Sequence, residues 1–316
     1  MSDKKVIAVM GATGAQGGGM VRAIMADKSG EFTARALTRD VNSDKAKALK
    51  NLGAEVVAYN VDDYESLKAA FQGAYGVFAV TFFWEHFSAD KEMEEVNLIA
   101  KAAKENNIKH VIWSTLEDTR KWIPLSDNRM PTLQEKYKVP HFDGKGEAEK
   151  YFTELNLPVT FLLTSGYWEN MIYFGWGPAR GEDGKLALNL PLGEKKLPGI
   201  SVGDIGKSAY QIFKRGNEFI GKKVGIAGEH LTGKQMAESL SKALGEEVGY
   251  NAVPFDVYRS FGFPGADDVG NMFQFKHDFS DDFCGARSIE FSKSLNPDLK
   301  SFNDWLKENV SKIPIK

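Results

Sequence analysis

In the stretch PHFDGKGEAEKYF, residues 140–152, a histidine stands four positions before a lysine, where the pattern predicts a helix start. Positions i and i+4 share a helix face, so His141 and Lys145 can address the same ligand. A tyrosine–lysine pair at this spacing does acid–base work. The lysine holds a nicotinamide ribose and lowers the phenol pKa, and the tyrosine gives its proton to a carbonyl oxygen as hydride arrives. Here histidine takes the tyrosine's place, and histidine carries a proton near neutral pH. Its orienting carboxylate would be Asp143 or Glu147. Ser114, ending a predicted strand, stands where such sets place their serine. Lys145, His141 and Ser114 are thus the catalytic candidates. The alternative is a retained lysine clamp with His141 packing under a cofactor. Two Tyr-x-x-x-Lys matches, Tyr64–Lys68 and Tyr210–Lys214, lie on other predicted helices and read as decoys, because so short a motif has meaning only in its structural setting.

The turn Gly11-Ala12-Thr13-Gly14-Ala15-Gln16-Gly17 is set directly between a strand pattern and a helix pattern. Gly11 permits the tight turn, Gly14 lets the backbone approach a pyrophosphate, and Gly17 lets the helix lie close on the sheet. The helix start offers free N–H groups and a partial positive charge to phosphates. The spacing is that of short-chain dehydrogenases/reductases, and a dinucleotide is the expected ligand. An NAD site ends its second strand with an acidic residue for the ribose 2′-OH; here RALTRD places Thr38 and Arg39 there. A guanidinium pairs bidentately with phosphate, so Arg39 is expected to select NADP(H), with Asp40 weakening the grip. Strand ends supply further candidates: Asn60 and Val61 near the adenine, and Thr81, Phe82 and Phe83 near the ribose and nicotinamide.

The elements that must position these residues alternate. Strands are predicted at Val6–Met10, Phe32–Thr38, Glu55–Tyr59, Val77–Thr81, Val111–Ser114 and Val159–Leu163. Helices fall between them, one stopped by Gly53 and one opened by an Asp62–Glu65 capping box. Such alternation means right-handed crossovers and a doubly wound parallel Rossmann sheet. Residues 1–165 are expected to form that NAD(P)-binding domain, with later segments returning to it. Residues 166–316 form a smaller C-terminal α/β lobe over the carboxyl edge of the strands. Within it, 175–199 reads as mostly loop, helices are expected at 204–214, 233–244, 256–261 and 302–310, and a strand at 224–227.

Bulk properties narrow the function classes. The 316-residue chain is 42% hydrophobic and 26% charged, with a net charge of −3. That balance argues against direct nucleic-acid binding, which wants a basic face. The lone cysteine, Cys284, allows no internal disulfide and suits a reducing compartment. The opening Met1-Ser2-Asp3-Lys4-Lys5, followed by five apolar residues, reads as the lead into a first strand rather than a secretory segment. No apolar run approaches the ~20 residues of a membrane span. No metal site is expected.

Several segments, in this order, resemble the NmrA-like proteins, in particular the HSCARG-type NADPH sensors: VIAVMGATGAQGG, LTRD, GAEVV, PHFDGKGEAEKYF, GYWENM, ISVGDIG and FGFPGADDVGNMFQF. The likeness runs over nearly the whole chain. It implies an atypical short-chain reductase fold without the catalytic tyrosine. It also implies a protein that reads the NADPH/NADP ratio and changes partner or association state. By position, Gly11 to Gln16 would bind the pyrophosphate, Arg39 the adenosine phosphate, and Lys145 the nicotinamide end. Tyr167, Trp168, Glu169 and Asn170 would close over it. The chain departs from the family at Glu94, a position that can be lysine there, and in lacking over 40–43 the second basic residue often found after the arginine.

Two functions follow. The first is an NADP(H)-binding redox sensor acting on a regulatory protein partner, for instance in transcription, with an NADP-dependent homodimer as one output and the cytoplasm and nucleus as its setting. The second is an NADPH-dependent reductase of a quinone or small carbonyl, using Lys145 with His141 or water.

Overall fold

The computed structural model describes residues 4–315; residues 1–3, part of the opening read above as the lead into the first strand, lie outside the described residues. In chain order the first half runs β1 (Lys5–Val9), α1 (Ala15–Ala26), β2 (Phe32–Thr38), α2 (Asp44–Asn51), β3 (Glu55–Ala58), α3 (Tyr64–Phe71), β4 (Gly76–Ala79), α4 (Ala89–Glu105), β5 (His110–Thr115), α5 (Pro140–Glu154) and β6 (Val159–Leu163). The second half runs β7 (Gly166–Tyr167), α6 (Asn170–Tyr173), β8 (Ala179–Arg180), β9 (Leu186–Leu190), β10 (Lys196–Ile200), α7 (Val202–Arg215), β11 (Lys223–Gly225), β12 (Glu229–Thr232), α8 (Gly233–Leu244), β13 (Val248–Ala252) and α9 (Phe255–Arg259), then α10 (Ala266–Asp278), α11 (Ser280–Gly285), α12 (Ile289–Leu295) and α13 (Phe302–Asn309). No described helix is long and apolar enough to cross a membrane.

The chain divides into two compact units. The first comprises Met1–Glu117, Gly144–Leu163 and Val202–Val224. Its seven-stranded sheet has the order β11-β6-β5-β4-β1-β2-β3, and the pairs from β3 through β6 are parallel. The inner strands are apolar on both faces because helices cover both faces. Leu67, Phe71, Val96, Ile99, Trp113 and Phe152 pack into one buried cluster with the sheet. Asp63, not Asp62, caps α3, taking the N–H groups of Glu65 and Ser66 at 3.0 and 3.3 Å. The expected Asp62–Glu65 box does not form: the cap lies one residue on, and Asp62 pairs with Lys91 instead.

Glycine sets the closest approach in this unit. A side chain at Gly17 would overlap the Gly11 carbonyl, and one at Gly206 on α7 would overlap the backbone of Gly19 on α1. The two helices thus meet backbone to backbone, and α7 belongs to this sheet unit rather than to an outer lobe.

The second unit comprises Asp118–Asp143, Thr164–Ser201 and Gly225–Lys316. It holds two three-stranded sheets, β12-β10-β7 and β13-β9-β8. Residues 175–199, expected to be mostly loop, supply β8, β9 and β10. The alternation of Leu186, Leu188 and Leu190, all buried, is the strand signal that the flanking glycines and prolines masked. Trp168 is buried over Gly199 and Gly228 and packs with Phe302 and Trp305.

Gly206→Ala is expected to destabilise the chain by ~1–3 kcal/mol through overpacking against a backbone that cannot yield. Gly285→Ala, whose added carbon meets nothing within 4 Å, serves as the control. Urea unfolding of the two variants against the parent measures the difference.

Candidate functional site

Strand order reverses between β1 and β4, and in open α/β sheets the ligand crevice lies outside the carboxyl ends of the strands at that point. The glycine turn sits there. Gly11 has a φ of +56°, a left-handed conformation that suits glycine. Its carbonyl accepts the Gly14 N–H at 2.8 Å, and Ala12 N–H reaches Leu37 O at 3.1 Å. Gly14 is the N-cap of α1, no side chain caps the helix, and its first turn carries no acid. Its leading N–H groups are thus suited to an anion. Thr13 Oγ1 lies 3.4 Å from Thr38 Oγ1, and Ser114 donates to Gln16 Oε1 at 2.8 Å. Ser114 therefore ties β5 to the turn.

On the β2 side, the exposed Arg39 guanidinium is paired with the Glu85 carboxylate. Glu85 lies on a 3-10 turn, Phe83–Glu85, that follows β4. Phe83 is buried in that turn while Phe82 is 55% exposed. Asn60 closes a tight turn, accepting Asp62 N–H at 3.1 Å, and its own N–H reaches Ser66 Oγ at 2.9 Å. Val61 packs against the core. Glu94 is largely exposed, near Lys91.

At the mouth of β4 and β5 the structure brings Thr81 and Lys145 together with a residue absent from the sequence-based set, Glu92. Lys145 Nζ pairs with Glu92 Oε1, donates to Thr81 Oγ1 at 2.7 Å, and lies 5.1 Å from the Trp113 ring centre. The Thr81 hydroxyl donates to the same Glu92 oxygen. Glu95 and His86 complete the group. Glu92 is fully buried and Glu95 nearly so, and His86 Nε2 lies 3.7 Å from an oxygen of each. Burial, with Glu92 and Asp62 nearby, raises the Glu95 pKa to about 7. Burial likewise lowers that of His86, against the pull of Glu92. The signal for this cluster was present in the sequence. Glu92 and Glu95 fall in helical register with Val96, Ile99 and Ala103, all buried, so two carboxylates occupy an otherwise apolar stripe.

His141 is held elsewhere. Its Nδ1 lies 2.7 Å from Asp268 Oδ1, and its backbone N–H donates to Asp268 Oδ2 at 3.1 Å. The carboxylate at Nδ1 is thus Asp268 rather than the expected Asp143. Asp143 instead accepts from the N–H and hydroxyl of Thr119 and from the N–H groups of Lys138 and Val139. Tyr167, Trp168, Glu169 and Asn170 lie in the second unit. There Trp168 is core, and Glu169 accepts from Ser201 Oγ and Trp305 Nε1, each at 3.0 Å. The two Tyr-x-x-x-Lys pairs serve structure. Tyr210 and Lys214 both reach Asp27, at 2.9 and 3.1 Å, and Lys68 pairs with Glu105 at 2.8 Å.

Comparison with known proteins adds family and fold. A family model described as the NmrA-like family matches residues 3–306. An NmrA-like family domain-containing protein of Dictyostelium discoideum is 29% identical, covering 96% of this chain and 97% of its own. An NmrA-like family domain-containing oxidoreductase, malD, of Malbranchea aurantiaca is 27% identical over 78% and 75%. Among solved structures, NmrA, a negative transcriptional regulator in complex with NADP, shares the fold with a TM-score of 0.78 at 21% identity, over 98% of this chain and 96% of that one.

The raised Glu95 pKa predicts a stability effect with a definite sign. Where a carboxyl titrates higher folded than unfolded, folding carries no penalty at pH values below the unfolded value, 4.5, and a growing one as pH rises to about 7. Glu95→Gln is therefore expected to melt higher than the parent at mildly alkaline pH, by up to ~3 kcal/mol, and to match it in acid. Thermal unfolding across that range reads the difference.

Proposed function

The chain belongs to the NmrA-like family, and from that premise we propose that it binds NADP(H) at the mouth of β1 and β4 and signals the state of that cofactor to a protein partner. The pyrophosphate lies over the N-terminus of α1, on the turn from Gly11 to Gly17. Arg39 exchanges Glu85 for the 2′-phosphate. Asn60 and Val61 flank the adenine, Thr81, Phe82 and Phe83 the ribose, and Lys145 holds the nicotinamide ribose. NADP in the NmrA complex of the same fold supports the cofactor.

The observation that carries the sensor reading is the separate fate of two side chains on one helix face. Lys145 is anchored beside Thr81, ready to clamp a ribose, while the imidazole in the tyrosine's place is committed to Asp268. A clamp without a poised phenol binds better than it turns over. Partner choice then follows from differential affinity of the two cofactor states, for which ~1–3 kcal/mol of coupling suffices.

A reductase reading is favoured by a different observation: Lys145 touches a buried carboxylate cluster able to hold a proton, and malD carries the name oxidoreductase. NADPH consumption across a panel of quinones and small carbonyls separates the two. The sensor reading expects none above background; turnover abolished by Lys145→Ala overturns it.

The cofactor assignment has its own test. Arg39→Ala should weaken NADPH binding ~10–100-fold, the worth of a lost charge-assisted contact, and leave NADH nearly unchanged in calorimetric titration. Equal NADPH affinity in parent and variant removes Arg39 from the site.

A further inference from the structure

We propose that His86, Glu92 and Glu95 form a proton-holding site behind Lys145, and that a nicotinamide dinucleotide seated on Lys145 fills it with a proton drawn from solvent. The inference rests on the cofactor reading above but not on the choice between sensor and reductase.

The geometry is that of a buried polar cluster with two unsatisfied atoms. Glu92 is fully buried, yet its Oε2 has no hydrogen-bond partner among the described residues, and neither has His86 Nε2. A buried acceptor and a buried ring nitrogen left unpaired cost free energy, and the two face each other at 3.7 Å, too far for a hydrogen bond. The donor atoms of His86, Glu92 and Glu95 lie within 4.8 Å of one another. A divalent cation would fit that spacing but not the tautomer. Ser88 N–H donates to His86 Nδ1 at 3.1 Å, so the neutral ring carries its proton on Nε2 and offers a cation no lone pair there. The atoms suit a proton instead, held on Glu95 beside a second buried carboxylate, with both facing one imidazole N–H.

Charge bookkeeping gives the coupling. The groups facing the cluster are Glu85 from the preceding turn, Lys91 on α4, Lys145 from α5, and Tyr59 and Asp62 from the segment after β3. Lys91 is taken by Asp62, and among the described residues Lys145 is the lysine paired with Glu92. When the ribose hydroxyls draw on that ammonium and the dinucleotide displaces water, two buried carboxylates lose compensation. Glu95 then takes a proton: a buffer acid loses it, a carboxyl O–H forms, and no other bond changes. That proton sits one side chain from Lys145, where a carbonyl substrate or a neighbouring loop can sense it.

Calorimetric titration of the full-length chain with NADPH near neutral pH, in two buffers of different ionisation enthalpy, counts the protons. Uptake of about half to one proton per dinucleotide is expected. It should be the same with NADH, which lacks the extra phosphate, and should fall to near zero in Glu95→Gln. Equal apparent enthalpies in both buffers, or an undiminished count in a Glu95→Gln protein that melts cooperatively, would overturn the inference and leave the cofactor reading standing. Should that variant not fold, the parent decides alone: uptake must peak near neutral pH and vanish in alkali, and a flat profile refutes the site. Absence of saturable binding of either dinucleotide removes the cofactor reading and this inference with it.

Discussion

Backbone meeting backbone, with no side chain between, is the condition on which this fold's site depends. Gly17 lies against the turn that precedes α1, and Gly19 lies against Gly206 of α7, from far later in the chain. One methyl group at either place would push α1 off its bed. The N-terminus of α1 would then no longer stand at the point where strand order reverses, and its leading N–H groups would be aimed elsewhere. The same contact returns residues 202–224 to the first unit.

From that fixed platform the polar chemistry is arranged around a single ammonium. Lys145 is bound to a fully buried carboxylate, an arrangement whose desolvation cost is offset only while both partners remain. Removing Lys145 strands Glu92 and Glu95 together in a poorly solvated pocket. A lysine variant therefore changes stability and ligand affinity at once, and a lower affinity in such a variant is not by itself a measure of the clamp.

Much of this was legible beforehand. The six strands of the first half and their order of alternation follow from apolar runs, and Gly53 and the glycine turn are punctuation with one mechanical meaning each. What resisted reading has physical causes. Glu92 and Glu95 do not stand out in the sequence because a carboxylate on a helix is usually solvated, and only their register with Val96 and Ile99 marks them as internal. The partner of His141 lies in α10, 127 residues away. Periodicity reports on neighbours a few positions apart and cannot reach it. The strands over 179–200 were hidden by glycine and proline, which signal turns whether or not short strands run between them. Asp62 and its neighbour Asp63 are alike in type, and nothing in local sequence says which of them caps α3 and which pairs with Lys91.

The pairing of Arg39 with Glu85 has a consequence for ligand discrimination. On the cofactor reading, the guanidinium is never an idle positive charge awaiting a ligand; it passes from one internal anion to one external anion. Selectivity for the phosphorylated dinucleotide is then an ion-exchange equilibrium, set by how much better a dianionic phosphoryl group suits a guanidinium than a monoanionic carboxylate does. Mobile salt screens the dianion's pairing more than the monoanion's, so preference for the phosphorylated coenzyme should narrow as ionic strength rises.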